Sequence, residues 1–184
     1  MVAHYRAAGR SGVVPSAQVF VRNRHVVLFG AQRPFGRRLT EALLALGAQV
    51  VAVGPLRTEL EALRAELRQH ERLHVAECSP DDVGPALLLE ATLRRGHLDA
   101  LVFVADEDPR SLSEGDALSR AIGSLPAGAP LQRLFAYPAP TAHVDSLAPP
   151  TYPRNFDDAL GYDPSNLTPS VSLMLERLSQ PPST

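Results

Sequence analysis

Residues 24–106 alternate short apolar runs with segments of helical periodicity, and this alternation restricts the fold more than any other feature. The run at 25–29 is typical of a strand that is buried on both faces of a parallel sheet. Similar runs occur at 49–53, 73–78 and 98–105, and helical patterns separate them at 37–46, 58–69 and 82–95. Such alternation predicts an α/β fold with a parallel sheet and right-handed crossovers.

The remainder of the chain predicts fewer regular elements. Residues 111–125 have the pattern of one more helix, 131–136 that of a fifth strand, and 170–178 that of a short amphipathic helix. Eleven of the seventeen prolines lie at or after Pro126, which favours an extended path there. The predicted organisation is an N-terminal arm at 1–23, a sheet domain at 24–136 and an extended proline-rich tail at 137–184.

A glycine-containing turn lies between the first strand and the first helix, where α/β folds bind phosphates. In its sequence, FGAQRPFGR, the turn resembles the Thr-Gly-x-x-x-Gly-x-Gly of the short-chain dehydrogenase/reductase family, with Gly30 and Gly36 at the first and last glycine and Pro34 at the middle one. The resemblance continues through 47–51, 60–63 and 98–102, and covers about 24–106, the N-terminal half of the family's Rossmann domain. It implies a three-layer Rossmann-like sheet of five or six parallel strands, here with a proline-rich C-terminal extension.

The resemblance also implies a nicotinamide cofactor, with Gly30, Arg33 and Gly36 as the residues that would contact it. Arg33 lies where family members that prefer NADP often have an arginine for the 2′-phosphate. Two departures weaken the site: Pro34 has no N–H to donate, and residues 54–56 lack the acidic or basic side chain that reads the ribose. We therefore expect no bound cofactor, and NADP(H) rather than NAD(H) if one is held.

Catalysis in the family uses a tyrosine and a lysine four residues later, which lowers the tyrosine pKa. This chain contains no lysine at all. The residues four positions after Tyr137, Tyr152 and Tyr162 are Thr, Phe and Asn, none of which is a cation. The sequence therefore predicts no catalytic residue of the family's type.

Composition restricts the partners. A net charge of −2 argues against a nucleic-acid partner, although residues 1–40 contain seven arginines and no acid. No apolar run approaches the ~20 residues that span a bilayer. Cys78, the single cysteine, indicates a reducing, cytoplasmic location. No metal site is predicted, because histidines and cysteines are few and residues 106–108 (Asp-Glu-Asp) have the pattern of a solvated turn.

These patterns favour a non-catalytic protein that acts through protein contacts, as an accessory or structural subunit or a homo-oligomer. The alternatives are a module that binds NADP(H) or another nucleotide as a sensor, and an oxidoreductase with a different catalytic apparatus. Large rings on an extended segment are suitable anchors for a partner. The candidate partner-binding residues are Tyr137, Tyr152, Phe156 and Tyr162. In the competing interpretation, the tail covers the domain's own sheet edge.

Overall fold

In a computed structural model, the residues described are 21–68, 71–78, 88, 92, 98–106, 108–125, 131–139 and 155–180. Within these residues, six parallel strands form one sheet, in the order β3-β2-β1-β4-β5-β6. They are β1 (His25–Phe29), β2 (Gln49–Gly54), β3 (Leu73–Glu77), β4 (Ala100–Val104), β5 (Gln132–Pro138) and β6 (Asp158–Tyr162). The helices described in full are α1 (Pro34–Ala45), α2 (Arg57–Leu67), α3 (Pro109–Gly123) and α4 (Leu167–Leu178).

The sheet has its topological switch point at β1, which pairs with β2 on one side and β4 on the other. Phe29 is in register with Val53 and Phe103, so the three strands end close together at the carboxyl edge. The strand order reverses here, and the crevice beyond the carboxyl ends of β1 and β4 is where open α/β sheets hold ligands.

The sheet is covered on both faces, which confirms the predicted three-layer α/β fold. On one face, α1 and α4 pack against each other and against the strands, burying Leu39 and Leu43 from α1 and Met174 from α4. On the other face, Leu118 and Ile122 of α3 pack in a second cluster that includes phenylalanines of β4 and β5. The continuous apolar character of β4, buried at all five positions, follows from this cover on both sides.

Local predictions agree with most elements but not with the start of α2. Thr58 and Glu61 have the capping-box pattern, yet the helix begins earlier, with Leu56 at the N-cap position and no side-chain cap. Thr58 therefore lies inside the first turn, where its hydroxyl is not at the capping position. The helix predicted at 82–95 lies outside the described residues except for 88 and 92, both helical.

Within the described parts of 137–184, which are 137–139 and 155–180, the chain differs from the extended tail predicted there. Residues 158–162 form β6, which pairs in parallel with β5, and α4 packs on α1. The prolines are compatible with this because Pro138 ends β5, Pro164 precedes α4 and Pro169 lies in its first turn, where the N–H needs no helical partner. None of the described helices is long and apolar enough to cross a lipid bilayer.

The predicted N-terminal arm at 1–23 is described only from residue 21 onward. That short piece belongs to the domain: Val21 is fully buried in the core, and the Asn23 N–H donates to the Gly47 carbonyl at 3.0 Å. Asn23 has a positive φ of 64°, which asparagine tolerates better than most residues.

Candidate functional site

The glycine turn is held by close approaches of backbone to backbone. Gly30 has a φ of +77°, and a Cβ there would be 2.5 Å from the Val104 carbonyl oxygen at the end of β4. A Cβ on Gly36 would be 2.2 Å from the carbonyl oxygen of Gly30. Only glycine fits at these two positions, which explains why the first and last glycines of the motif are present.

Pro34 occupies the first position of α1, and Arg33 is the N-cap. Proline suits this place, because its fixed φ is helical and its missing N–H would have had no helical partner. The Arg33 N–H donates to the Gly30 carbonyl at 3.1 Å and closes the turn. The turn thus keeps its shape with proline at the middle position, but it has one backbone donor fewer for an anion.

Arg33 does not extend into solvent from this turn. Its side chain lies across the crevice, only 8% exposed. Nε pairs with Asp106 Oδ2 at 2.9 Å, Nη2 with Glu114 Oε2 at 2.5 Å, and Nη1 donates to the Val104 carbonyl. The guanidinium carbon is 5.7 Å from the centre of the Phe103 ring, within cation–π range. We call Arg33, Asp106, Glu114 and the Val104 carbonyl the Arg33 cluster.

The Arg33 cluster does not have a net positive charge. One guanidinium faces two carboxylates, whose side chains are 36% exposed for Asp106 and 22% for Glu114. Asp106 is itself held in place, because its Oδ1 accepts the Asp108 N–H at 3.0 Å. The formal charge of the cluster is therefore −1, and the carboxylates oppose the attraction that a helix N-terminus offers to phosphate.

Tyr162 fixes the same edge of the sheet from the other side. Its hydroxyl donates to the Ala105 carbonyl at 2.7 Å, and its ring stacks on Phe35 with centroids 4.5 Å apart. Only 5% of Tyr162 is exposed. Predicted as an anchor for a partner, Tyr162 is instead a core residue, because the strand that carries it joins the sheet.

The other predicted anchors lie apart from Tyr162. Tyr137 and Phe156 are half-buried on the α3 face, where their ring centroids lie 5.9 and 5.6 Å from that of Phe135. Tyr152 lies outside the described residues. The structure therefore brings two of the four predicted rings into one aromatic cluster within the domain.

A small cavity opens beside the Arg33 cluster, at the flank where the resemblance puts the cofactor's adenosine. Its lining includes Gln32, Gly54, Cys78 and Glu114, and its volume is about 20 Å³. The Gln32 side chain fills this flank, since its Oε1 is 2.7 Å from where a Cβ of Gly54 would lie. Such a cavity has room for about one water molecule.

The residues present do not fit a dinucleotide in this arrangement. The turn and the helix N-terminus are retained, but the Arg33 side chain covers the turn and Gln32 covers the adenosine flank. In the part of the chain that is described, no three His, Cys, Asp or Glu side chains gather as metal ligands would.

Sequence reasoning identified Arg33 but not its two partners. Asp106 comes two residues after the end of β4, and β4 pairs with β1. The usual strand order of a Rossmann-type sheet would therefore have placed it next to the turn. We predicted a solvated turn there, and the ion pair corrects that prediction. Nothing in the sequence indicates that Glu114 lies near Arg33, because Glu114 belongs to α3, a helix on the opposite face of the sheet.

Comparison with known proteins identifies solved structures with a similar fold. No protein-family model matches the chain, and no curated protein matches its sequence. Solved structures do match. A citronellol catabolism dehydrogenase of Pseudomonas aeruginosa is 19% identical with a TM-score of 0.50, over 64% of this chain and 56% of that one. A short-chain dehydrogenase/reductase of Brucella melitensis is 24% identical with a TM-score of 0.51, over 64% and 57%.

A third similar structure is a short-chain dehydrogenase/reductase of Burkholderia phymatum in complex with NAD. It is 16% identical with a TM-score of 0.53, and the match covers 65% of this chain and 50% of that one. The matches thus span little more than half the length of these neighbours. Together with the strand order, they show that the chain has the Rossmann-type fold of the short-chain dehydrogenase/reductases.

Proposed function

We propose that this chain is a non-catalytic protein with the short-chain dehydrogenase/reductase fold that acts through protein contacts, as an accessory or structural subunit. One observation carries the proposal: the chain has no lysine, so no tyrosine in it has the cation that activates the family's catalytic phenol. The location that we propose is a reducing one such as the cytoplasm, because Cys78 is the single cysteine.

The environment of the described tyrosines supports this proposal. The Tyr162 hydroxyl is buried and donates a hydrogen bond to the Ala105 carbonyl, so it acts as a structural donor. Tyr137 packs on Phe135, and the residue four positions later is Thr141. Neither arrangement provides a proton shuttle beside a reacting carbon.

A turnover screen tests the missing chemistry. The purified chain is incubated with NADH or NADPH and a panel of carbonyl compounds, and with NAD⁺ or NADP⁺ and alcohols, while absorbance at the nicotinamide band is followed. We expect no turnover above the protein-free rate. Steady turnover that is lost in Tyr137→Phe or Tyr152→Phe contradicts the proposal, and turnover that survives both favours an oxidoreductase with a different apparatus.

The protein-contact part needs a separate measurement. The chain is isolated gently from its own cells, and its mass is measured by light scattering at the concentration found there. We expect a complex heavier than the 19.8 kDa monomer, containing either a second copy or another protein. A monomer under these conditions contradicts the subunit role.

The second candidate is a sensor that binds NADP(H). The observation in its favour is the retained turn, in which Gly30 and Gly36 still permit close backbone approach at the start of α1, beside an arginine. Calorimetry with NADPH separates the two candidates. Tight binding that Arg33→Ala weakens would favour the sensor, and no binding would favour the accessory protein.

A further inference from the structure

We infer that the crevice excludes dinucleotides because Asp106 and Glu114 hold Arg33 across the glycine turn, so these two carboxylates are the residues that decide which ligand the crevice accepts. The fold implies a dinucleotide at this place, and the residues present disagree with one. The cause that we assign is this pair of acids, and not the proline at the middle glycine position.

The Arg33 side chain occupies the space above the glycine turn. The Arg33 Cδ and Nη1 atoms each lie 3.1 Å from the point where a Cβ of Gly30 would be. The room that a glycine leaves above this turn is what lets the backbone approach a pyrophosphate. Here the chain's own guanidinium fills that room, and the Val104 carbonyl accepts one of its N–H groups.

The charges around Arg33 also oppose a phosphate ligand. A lone cation is unfavourable at the N-terminus of a helix, because it faces the positive end of the helix dipole. The N-cap Arg33 is stable there because Asp106 and Glu114 neutralise it at 2.9 and 2.5 Å. A phosphate would have to displace both carboxylates before it reached the guanidinium or the turn.

Pro34 is not the residue that closes the crevice. Proline removes one backbone donor, but it stands at the first position of α1 and leaves the shape of the turn compatible with a helix start. Without the two carboxylates, an unpaired Arg33 and the N–H groups of the first turn would attract an anion together. The variant Pro34→Gly restores a backbone donor but leaves Arg33 paired with Asp106 and Glu114, so it is the matched control.

The experiment measures binding to the full chain by titration calorimetry. The variants are the double Asp106→Asn/Glu114→Gln, the single Glu114→Gln, and Pro34→Gly. The probes are NADPH, NADH and inorganic pyrophosphate. We expect no binding by the wild type or Pro34→Gly tighter than about 1 mM. In the double variant, NADPH and pyrophosphate should bind at least ~10-fold more tightly than in the wild type.

A further variant identifies the group that binds the probe. Adding Arg33→Met to the double variant should remove the gain, since the unmasked guanidinium is the cation that contacts phosphate. Circular dichroism spectra verify that each variant is folded. If the double variant is unfolded, Glu114→Gln decides the question. This single variant should stay folded, because its amide oxygen still accepts from Arg33 and Asp106 keeps its charge. Its NADPH affinity should then exceed that of the wild type by at least ~3-fold.

Three results overturn the inference: dinucleotide binding by the wild type that the double variant does not strengthen, an equal gain in Pro34→Gly, or no gain in the folded double variant (or in Glu114→Gln, if the double variant is unfolded). The inference is independent of the proposed function. Turnover would contradict the proposed function and leave the role of the two acids standing, whereas a failed gain in binding would overturn only the role of the acids.

Discussion

Replacing Arg33 with methionine should destabilise the fold more than the loss of any exposed arginine. Methionine keeps an apolar stem but leaves the Val104 carbonyl without its donor and the carboxylates of Asp106 and Glu114 without their counter-ion. Removing one partner of a fully buried ion pair costs about 3–5 kcal/mol. The carboxylates are 36% and 22% exposed, so water replaces part of the lost interaction, and we expect about 3 kcal/mol.

The free energy of unfolding is measured by urea titration with circular dichroism at the helical band, because the chain has no tryptophan. For a chain of this size, the expected loss lowers Tm by about 6–12 °C. Arg38→Met is the control: its side chain is 67% exposed and pairs with Glu41 at 3.3 Å, so its cost should stay below about 0.5 kcal/mol.

A double-mutant cycle tests the assigned cause. When Arg33→Met is made together with Asp106→Asn and Glu114→Gln, no unpaired carboxylates remain, and the substitution should cost about 1–2 kcal/mol less than it does alone. The stabilising role of the two ion pairs is refuted if Arg33→Met costs no more than Arg38→Met, or if its cost is the same in both backgrounds.

Three further predictions concern the C-terminal part of the chain. Tyr162→Phe keeps the stack on Phe35 but loses the buried hydrogen bond to the end of β4, and should lower the free energy of unfolding by about 1–2 kcal/mol in the same assay; no loss would show that the bond is not formed. A chain shortened to end at Ala136 lacks β6 and α4 and exposes the core that they cover, so it should fail to unfold cooperatively on heating, and a cooperative melt would contradict this. The Ser165 hydroxyl and N–H donate to the carboxylate of Asp163 and hold its pKa below the ordinary 3.8, so the turn before α4 keeps these bonds above that pH and loses them as the pH falls through the lowered pKa. A carboxyl titration by NMR should have a midpoint below 3.8 that rises in Ser165→Ala, and an unchanged midpoint would exclude this cause.

The sequence was sufficient to predict the strands that are buried on both faces. The runs that became β1, β2 and β4 are apolar at successive positions, and each is followed by helical periodicity, so the pattern of neighbouring residues specifies both the element and its parallel pairing. The glycine turn was also evident, since Gly30 and Gly36 are demanded by close approaches that begin within the turn itself.

The last strand was not evident from the sequence. Its five residues, DALGY, include an aspartate and a glycine, which are poor strand formers, and prolines flank the segment on both sides. The segment is a strand because β5 offers a parallel edge and α4 covers the buried Leu160 and Tyr162. Strand propensity depends on such packing more than on the residues themselves.

The state of the candidate site was decided by tertiary structure alone. The sequence placed Arg33 beside a phosphate-binding turn, where it has the pattern of a ligand-binding residue. Its partners lie far away in the chain, with Val104 and Glu114 separated from it by 71 and 81 positions. They reach it because β4 pairs with β1 and α3 returns over the sheet. The periodicity of apolar residues reflects local structure, which depends on residues close together in the sequence. The pairing of a buried charge depends instead on which distant segments the fold brings within hydrogen-bond distance.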